Sequence, residues 1–343
     1  MWIYAYLCLP TVVSASFMRP TTSANHLEFY KEMTYPWVDK EAPICSNQTL
    51  CPRNPNYTWD DYLDCLLNKG VKNFVLGGLM MVGSDIWFVI EFKSPSRWSK
   101  SGFMALREKV RARGGRILGD VIDAQYGYGE PFNKTRFRQN AAKFVEYFPV
   151  DGFRIADFLP YSDQTPQHVK EALEAINELK LISSIRLTPE KLDVFAKAKL
   201  GGIADTTFVS LWPRYDDKND TAAFNTDAFA KQTILNASAA GVDLGKIVLQ
   251  VPLLARATYD SADVGYSSMI YGFHQDPQGN GRYHNKNGDY FFFSQPRAVD
   301  KIKVAHEHGL HGISLQQSLP DQARADLFPW DNNSLFHALV ENM

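Results

Sequence analysis

Net charge, cysteine and long apolar runs are what this 343-residue sequence has little of. Its 36 lysines and arginines stand against 38 aspartates and glutamates, for a net charge of -2. That balance excludes the basic footprint by which proteins hold nucleic acid or an anionic membrane surface. Beyond the N-terminus no apolar run reaches the ~18 residues of a membrane span. No linker and no low-complexity stretch divides the chain. There are only four cysteines, Cys8, Cys45, Cys51 and Cys65. No residue pattern calls for a cofactor or a metal. His306–His311 spans a helix end, a Gly stop and a strand start, so its three rings need not converge. The Asp276–Asp289 stretch misses calcium-loop spacing and reads as a solvated loop.

What is present is a globular composition, 45% hydrophobic and 22% charged. Residues 1–16 read as a secretory leader: a short apolar core, Pro10, and small residues at Ser14, Ala15 and Ser16 for cleavage, though without the usual basic residue in front. Asn-x-Ser/Thr sequons at Asn47, Asn56, Asn133, Asn219, Asn236 and Asn332 point to a secreted glycoprotein. Removal of the leader takes Cys8 with it and leaves three cysteines, so they cannot all pair within the chain. One disulfide is expected among Cys45, Cys51 and Cys65, and the sequence leaves the pairing open.

Residues 17–58 form an extension rich in Pro, Thr and Asn, with Leu27–Tyr30 as a weak first strand. From residue 59 to 343 strands alternate with amphipathic helices. Helices are expected over Trp59–Asn68, Ser99–Arg113, Thr135–Phe148, Pro166–Lys180, Thr188–Lys199, Asp227–Ala240, Pro296–His308 and Leu335–Asn342. Strands are expected over Val71–Met80, with Ile86–Phe92 as a hairpin partner, and over Arg116–Ile122, Val150–Phe158, Leu181–Leu187, Thr207–Trp212, Lys246–Leu254 and Gly312–Gln316. Residues 256–295 read as an irregular insertion before the last strand. Strand then helix, repeated about eight times with short connections, predicts an α/β fold, a single (β/α)8 TIM barrel.

Several landmarks recur in order: Val71–Leu79, Gly115–Asp123, Asp151-Gly152-Phe153, Gly241–Pro252 followed by Arg256, and Gly309–Ile313. With these the chain resembles glycoside hydrolase family 18, the chitinases and chitinase-like lectins, over roughly residues 68–342. The resemblance implies a signature Asp-Gly-x-Asp-x-Asp-x-Glu on the central strand. There a Glu protonates the leaving oxygen, an Asp orients the substrate's acetamido group, and the acetamido oxygen attacks the anomeric carbon. Here the first Asp is Asp151, but Arg154, Ala156 and Phe158 fall at the second Asp, the third Asp and the Glu. Strict alternation would turn the neighbouring Asp157 toward the helix layer. Asp151 then reads as a structural carboxylate at a strand start. Trp and Tyr positions that floor the family's sugar site also differ, with Gln316 or Gln317 where a Trp is usual.

The expectation is therefore a chitinase-like protein without a catalytic residue, acting by binding chitin, another N-acetylglucosamine glycan or an extracellular protein. Alternatives are a lectin proper, or a hydrolase using displaced carboxylates such as Asp120 and Asp123. Asp120, Asp123, Trp212, Tyr215, Arg256 and Gln316 are the expected cleft residues. Trp87, Trp98 and Trp330 are further stacking candidates. An inward Arg154 needs a carboxylate partner, expected to be Asp120, Asp123 or Asp151.

Overall fold

A computed structural model describes residues 26–33, 59–88, 100–123, 132–158, 165–214, 217–259, 263–316, 326 and 328–343. The expected leader, most of the 17–58 extension, Cys45, Cys51, Asn47, Asn56, Trp98, Tyr215 and Gln317 lie outside the described residues.

The chain begins with strand β1 (Glu28–Met33), helix α1 (Trp59–Asn68) and strand β2 (Asn73–Val82), which turns back into the antiparallel β3 (Asp85–Phe88). There follow α2 (Lys100–Arg111), β4 (Arg116–Asp123), α3 (Lys134–Tyr147), β5 (Gly152–Phe158), α4 (Thr165–Glu178) and β6 (Ile182–Leu187). Short α5 (Leu192–Ala198) and α6 (Leu200–Ile203) lead to β7 (Thr206–Ser210). Helices α7 (Lys218–Ala223) and α8 (Asp227–Ala239) lead to β8 (Ile247–Val251). Four strands come next: β9 (Leu254–Ala257), β10 (Asp263–Gly265), β11 (Arg282–Asn285) and β12 (Gly288–Phe292). The chain then runs through α9 (Gln295–Glu307), β13 (Gly312–Leu315) and α10 (Leu335–Glu341).

Eight parallel strands follow one another as β1-β13-β8-β7-β6-β5-β4-β2, and β1 pairs with β2 to close the ring. This is a closed (β/α)8 barrel with the β3 hairpin strand added. Helix starts are marked as local chemistry requires. The Asn133 side chain accepts from Arg136 N at the start of α3, Thr226 does the same for α8, and Ser334 for α10. Gly114 ends the second helix with φ +68, a conformation closed to most side chains.

Two apolar layers result. Outside the strands lies the main core, including Phe103, Val110, Phe137, Leu173, Ile185 and Leu249. Inside, Tyr30, Val75, Leu118, Phe208 and Val248 fill the lower barrel, with Ile182 against them.

Two expectations need correction. Lys246–Leu254 is not one strand: the barrel strand stops at Val251, and Pro252, with no N–H to donate, marks the break before β9. Nor is 256–295 irregular. It holds an antiparallel sheet in the order β10-β9-β12-β11 and one π-helical turn, Ser268–Gly272. Its strands have only three to five residues between Gly, Asn and Asp turns, too short for a periodic signal. The Asp276–Asp289 stretch runs into the β11–β12 hairpin, where Asp289 pairs with Arg282 at 2.7 Å.

The barrel seam is locked at its N-terminal face. Glu28 accepts from Arg116 at 3.1 and 3.3 Å, from Tyr30 Oη at 3.0 Å and from Asn73 at 3.2 Å. The Tyr30 hydroxyl has one proton and gives it to Glu28, so His311 Nε2–H donates to Tyr30 Oη, 3.0 Å away. Burial lowers the His311 pKa; Glu28 opposes the shift and Arg116 adds to it.

Two tests follow from this arrangement. The folded His311 resists a proton that the unfolded chain accepts near pH 6.5, so its contribution is present above that pH and is lost as pH falls below it. Urea titrations at pH 7.5 and 5.5 should show a larger loss of stability for the native chain than for His311→Gln, which keeps a donor toward Tyr30. At β5, a Cβ on Gly152 would stand 2.1 Å from the Ile182 carbonyl oxygen. Gly152→Ala should cost about 1–3 kcal/mol in the same assay.

Candidate functional site

The central strand β5 follows a structural carboxylate and carries a buried arginine. Asp151 sits at its N-terminal end, away from the face where barrel enzymes keep their chemistry. One Asp151 oxygen accepts from Ile117 N at 2.8 Å and the other from Arg107 at 3.0 Å. Asp205, before β7, accepts from Ser183 N at 3.0 Å in the same manner. Both carboxylates fix the register of neighbouring strands.

Arg154 is the next inward residue and is 1% exposed. Its Nε and Nη2 donate to the two oxygens of Asp120, at 2.6 and 2.8 Å. Its Nη1 lies 2.8 Å from Glu32 Oε2. The guanidinium also sits over the Phe208 ring, 4.7 Å from its centroid. Gln250 Nε2 donates to both Glu32 oxygens, at 2.7 and 2.9 Å. Burial alone would lower the Arg154 pKa. The charges of Asp120 and Glu32 outweigh it and hold the guanidinium above its ordinary value. Of the three expected partners, Asp120 is the one that meets Arg154. Glu32 was not foreseen, because the first strand reads only weakly and Lys31-Glu32 resembles a solvated pair.

Other expected positions separate. Asp123 lies three residues beyond Asp120 on β4, pairs in register with Phe158 and is 1% exposed, whereas Asp120 is half-buried against Arg154. Ala156 is buried. The β4–β5 register shifts by one residue there: Val121 aligns with Ile155, but Ile122 aligns with Asp157 and Asp123 with Phe158. This bulge corrects the strict alternation assumed for Asp157, which shares a register position with the inward series Leu118, Asp120 and Ile122. The side chains of Asp157 and Phe158 lie outside the described residues.

Trp212 and Arg256 do come together. The Arg256 guanidinium lies 6.0 Å from the Trp212 ring and donates to the Pro213 carbonyl at 3.3 Å. On adjacent strands, Gln250 and Ser314 are register partners, and Gln316 is the next inward position on that side. Gln250 Oε1, Ser314 Oγ and Gln316 Oε1 are buried without a hydrogen-bond partner among the described residues. The barrel interior thus combines an ion-paired arginine with three buried acceptors that make no hydrogen bond among the described residues. Trp87 is exposed on β3, and Trp330 stacks on Phe328 with centroids 4.3 Å apart. Cys65 is half-buried on α1, and its candidate partners lie outside the described residues. Among the described residues no three His, Cys, Asp or Glu side chains group to hold a metal, and no helix is long and apolar enough to cross a membrane.

The barrel with its insertion between β8 and α9 can be set beside solved structures. The GH18 chitinase ChiB from the chitin utilization locus of Flavobacterium johnsoniae superposes with TM-score 0.59 and 12% identity, covering 92% of this chain and 93% of that one. The fold is that of the glycoside hydrolase family 18 chitinases. Ostrinia furnacalis Group IV chitinase in complex with allosamidin gives TM-score 0.58 at 14% identity, over 85% of this chain and 92% of that one. The Bacillus cereus spore cortex-lytic enzyme SleL gives 0.58 at 11% identity, over 92% and 74%. No protein-family model matches the sequence, and no curated protein does.

The cluster can be tested directly in this chitinase-like barrel. Arg154→Met leaves Asp120 and Glu32 charged without their cation and should cost about 3–5 kcal/mol of stability. Combining it with Asp120→Leu should recover part of that loss in urea denaturation, because one of the stranded charges is removed.

Proposed function

We propose that this chain is a secreted, catalytically inactive chitinase-like protein that acts by binding. The observation that carries this reading is Arg154, buried between Asp120 and Glu32 on the inward face of β5. In the family resemblance that face carries alternating carboxylates ending in the proton donor. Here Arg154 and Ala156 stand at two of those positions, and by sequence spacing Phe158 falls at the donor's, while the register shift sets Asp157 beside Ile122. Asp120 and Glu32 are committed to that guanidinium. A site without a general acid must let the leaving oxygen depart unprotonated, which slows hydrolysis by about 10²–10⁴-fold or more, and Asp157 is the carboxylate left to test for that role.

A glycan is the favoured partner. Gln250 Oε1, Ser314 Oγ and Gln316 Oε1 are buried acceptors suited to sugar hydroxyl or amide donors, and Trp212, near Arg256, is the aromatic candidate for a sugar face. The allosamidin complex of the Ostrinia enzyme supports a sugar-like ligand on this fold. Secretion is supported by the leader-like N-terminus and the sequons. The four sequon asparagines among the described residues, Asn133, Asn219, Asn236 and Asn332, are all exposed.

Fluorogenic chitobiose and chitotriose substrates should show no turnover above buffer. Turnover that disappears in Asp120→Ala or Asp157→Ala would overturn the inactive reading and favour displaced carboxylates. Retention on chitin beads, weakened in Gln316→Ala, is the expected result for a glycan binder. Free passage through the beads would leave an extracellular protein as the partner.

A further inference from the structure

A second concave site lies outside the barrel mouth. It is a cleft of 240 Å³ between the start of α5 and one face of α8. Leu187, Leu192, Val209 and Phe229 make its apolar floor. Phe229, Gln232, Thr233 and Asn236 line one side, at the spacing that puts them on a single helix face. At one end Arg214 pairs with Asp220 at 2.7 Å and with Asp217 at 2.8 Å. Arg214 holds the Asp220 carboxyl below its ordinary range, so it stays an acceptor. The volume is below that of a drug-sized pocket and suits one small amphipathic ring.

Asn236, on the rim, is also the asparagine of the Asn236-Ala237-Ser238 sequon. It is exposed, and its Oδ1 accepts from Gln232 Nε2 at 2.8 Å. That bond fixes the amide plane and leaves Nδ2 without a role. Side chains on a helix lean toward its N-terminus, which here is the direction of Gln232, Thr233 and Phe229. We propose that Asn236 carries an N-linked glycan whose first N-acetylglucosamine seats in this cleft, its ring face and acetyl methyl over Phe229 and Leu192 and its hydroxyls toward Asp220 and Thr188. The inference rests on the secreted reading. In the modification Asn236 Nδ2 bonds to the anomeric carbon of a lipid-pyrophosphate-linked oligosaccharide. The nitrogen loses one proton, and the lipid pyrophosphate leaves. The docked sugar then acts as a fixed wedge between α5 and α8 rather than as a mobile surface chain.

The test uses full-length protein from a secretory eukaryotic host. Peptide mapping reads occupancy at each sequon, and native peptide-N-glycosidase digestion reads accessibility. The expected result is an occupied Asn236 released at least about tenfold more slowly than Asn332, a difference that vanishes on denaturation. Ser238→Ala, which removes the sequon but keeps Asn236, should lower the Tm by about 2 °C, while Asn332→Gln should not. Equal release rates, or an unchanged Tm in Ser238→Ala, overturn the docking. An empty Asn236 beside occupied Asn133 or Asn332 overturns the site alone. If every sequon is empty, the secreted reading falls and this inference falls with it.

Discussion

Arg154 puts a guanidinium inside a barrel where water cannot reach it, and that constraint organises the upper half of the interior. A buried cation requires counter-charge in hydrogen-bonding geometry, or it costs several kcal/mol. Asp120 from β4 meets it with both oxygens, Glu32 from β1 meets the remaining nitrogen, and Gln250 from β8 holds Glu32 in place. Four strands spread around the ring are thus tied through one side chain. Phe208 below it separates this polar tier from the apolar tier of Tyr30, Val75, Leu118 and Val248. The same tie holds the Asp120 and Glu32 carboxylates against one buried cation.

The opposite end of the barrel shows the same logic in a structural role. Glu28, Tyr30, Asn73, Arg116 and His311 bridge the strands that meet where the ring closes. Asp151 and Asp205 clamp strand starts through backbone N–H groups, and Gly152 is held to hydrogen by the neighbouring carbonyl. The first two residues of the signature-like stretch are therefore explained by barrel construction alone. Their presence says nothing about hydrolysis, and the rest of the stretch decides the functional reading.

Much of this was legible in the linear sequence. Apolar periodicity located nearly every barrel strand and helix, because each is long enough for its period to show. The first strand was faint, since Lys31 and Glu32 are charged and yet both are buried. The insertion looked irregular because short antiparallel strands gain their regularity from partners far along the chain. Asp157 shows the limit of parity arguments: alternation holds only while the register does, and the shift at Ala156 breaks it.

The sequence by itself determined the barrel and the need of Arg154 for a partner. Those follow from local periodicity and from the cost of an isolated charge, which are properties of residue type and spacing. Tertiary structure alone decided that Asp120 and Glu32 share that arginine and that Trp212 meets Arg256. It also decided that Asn236 overlooks a cleft. Each of these depends on how strands from distant parts of the chain align around a closed ring, and shear and bulges set that alignment.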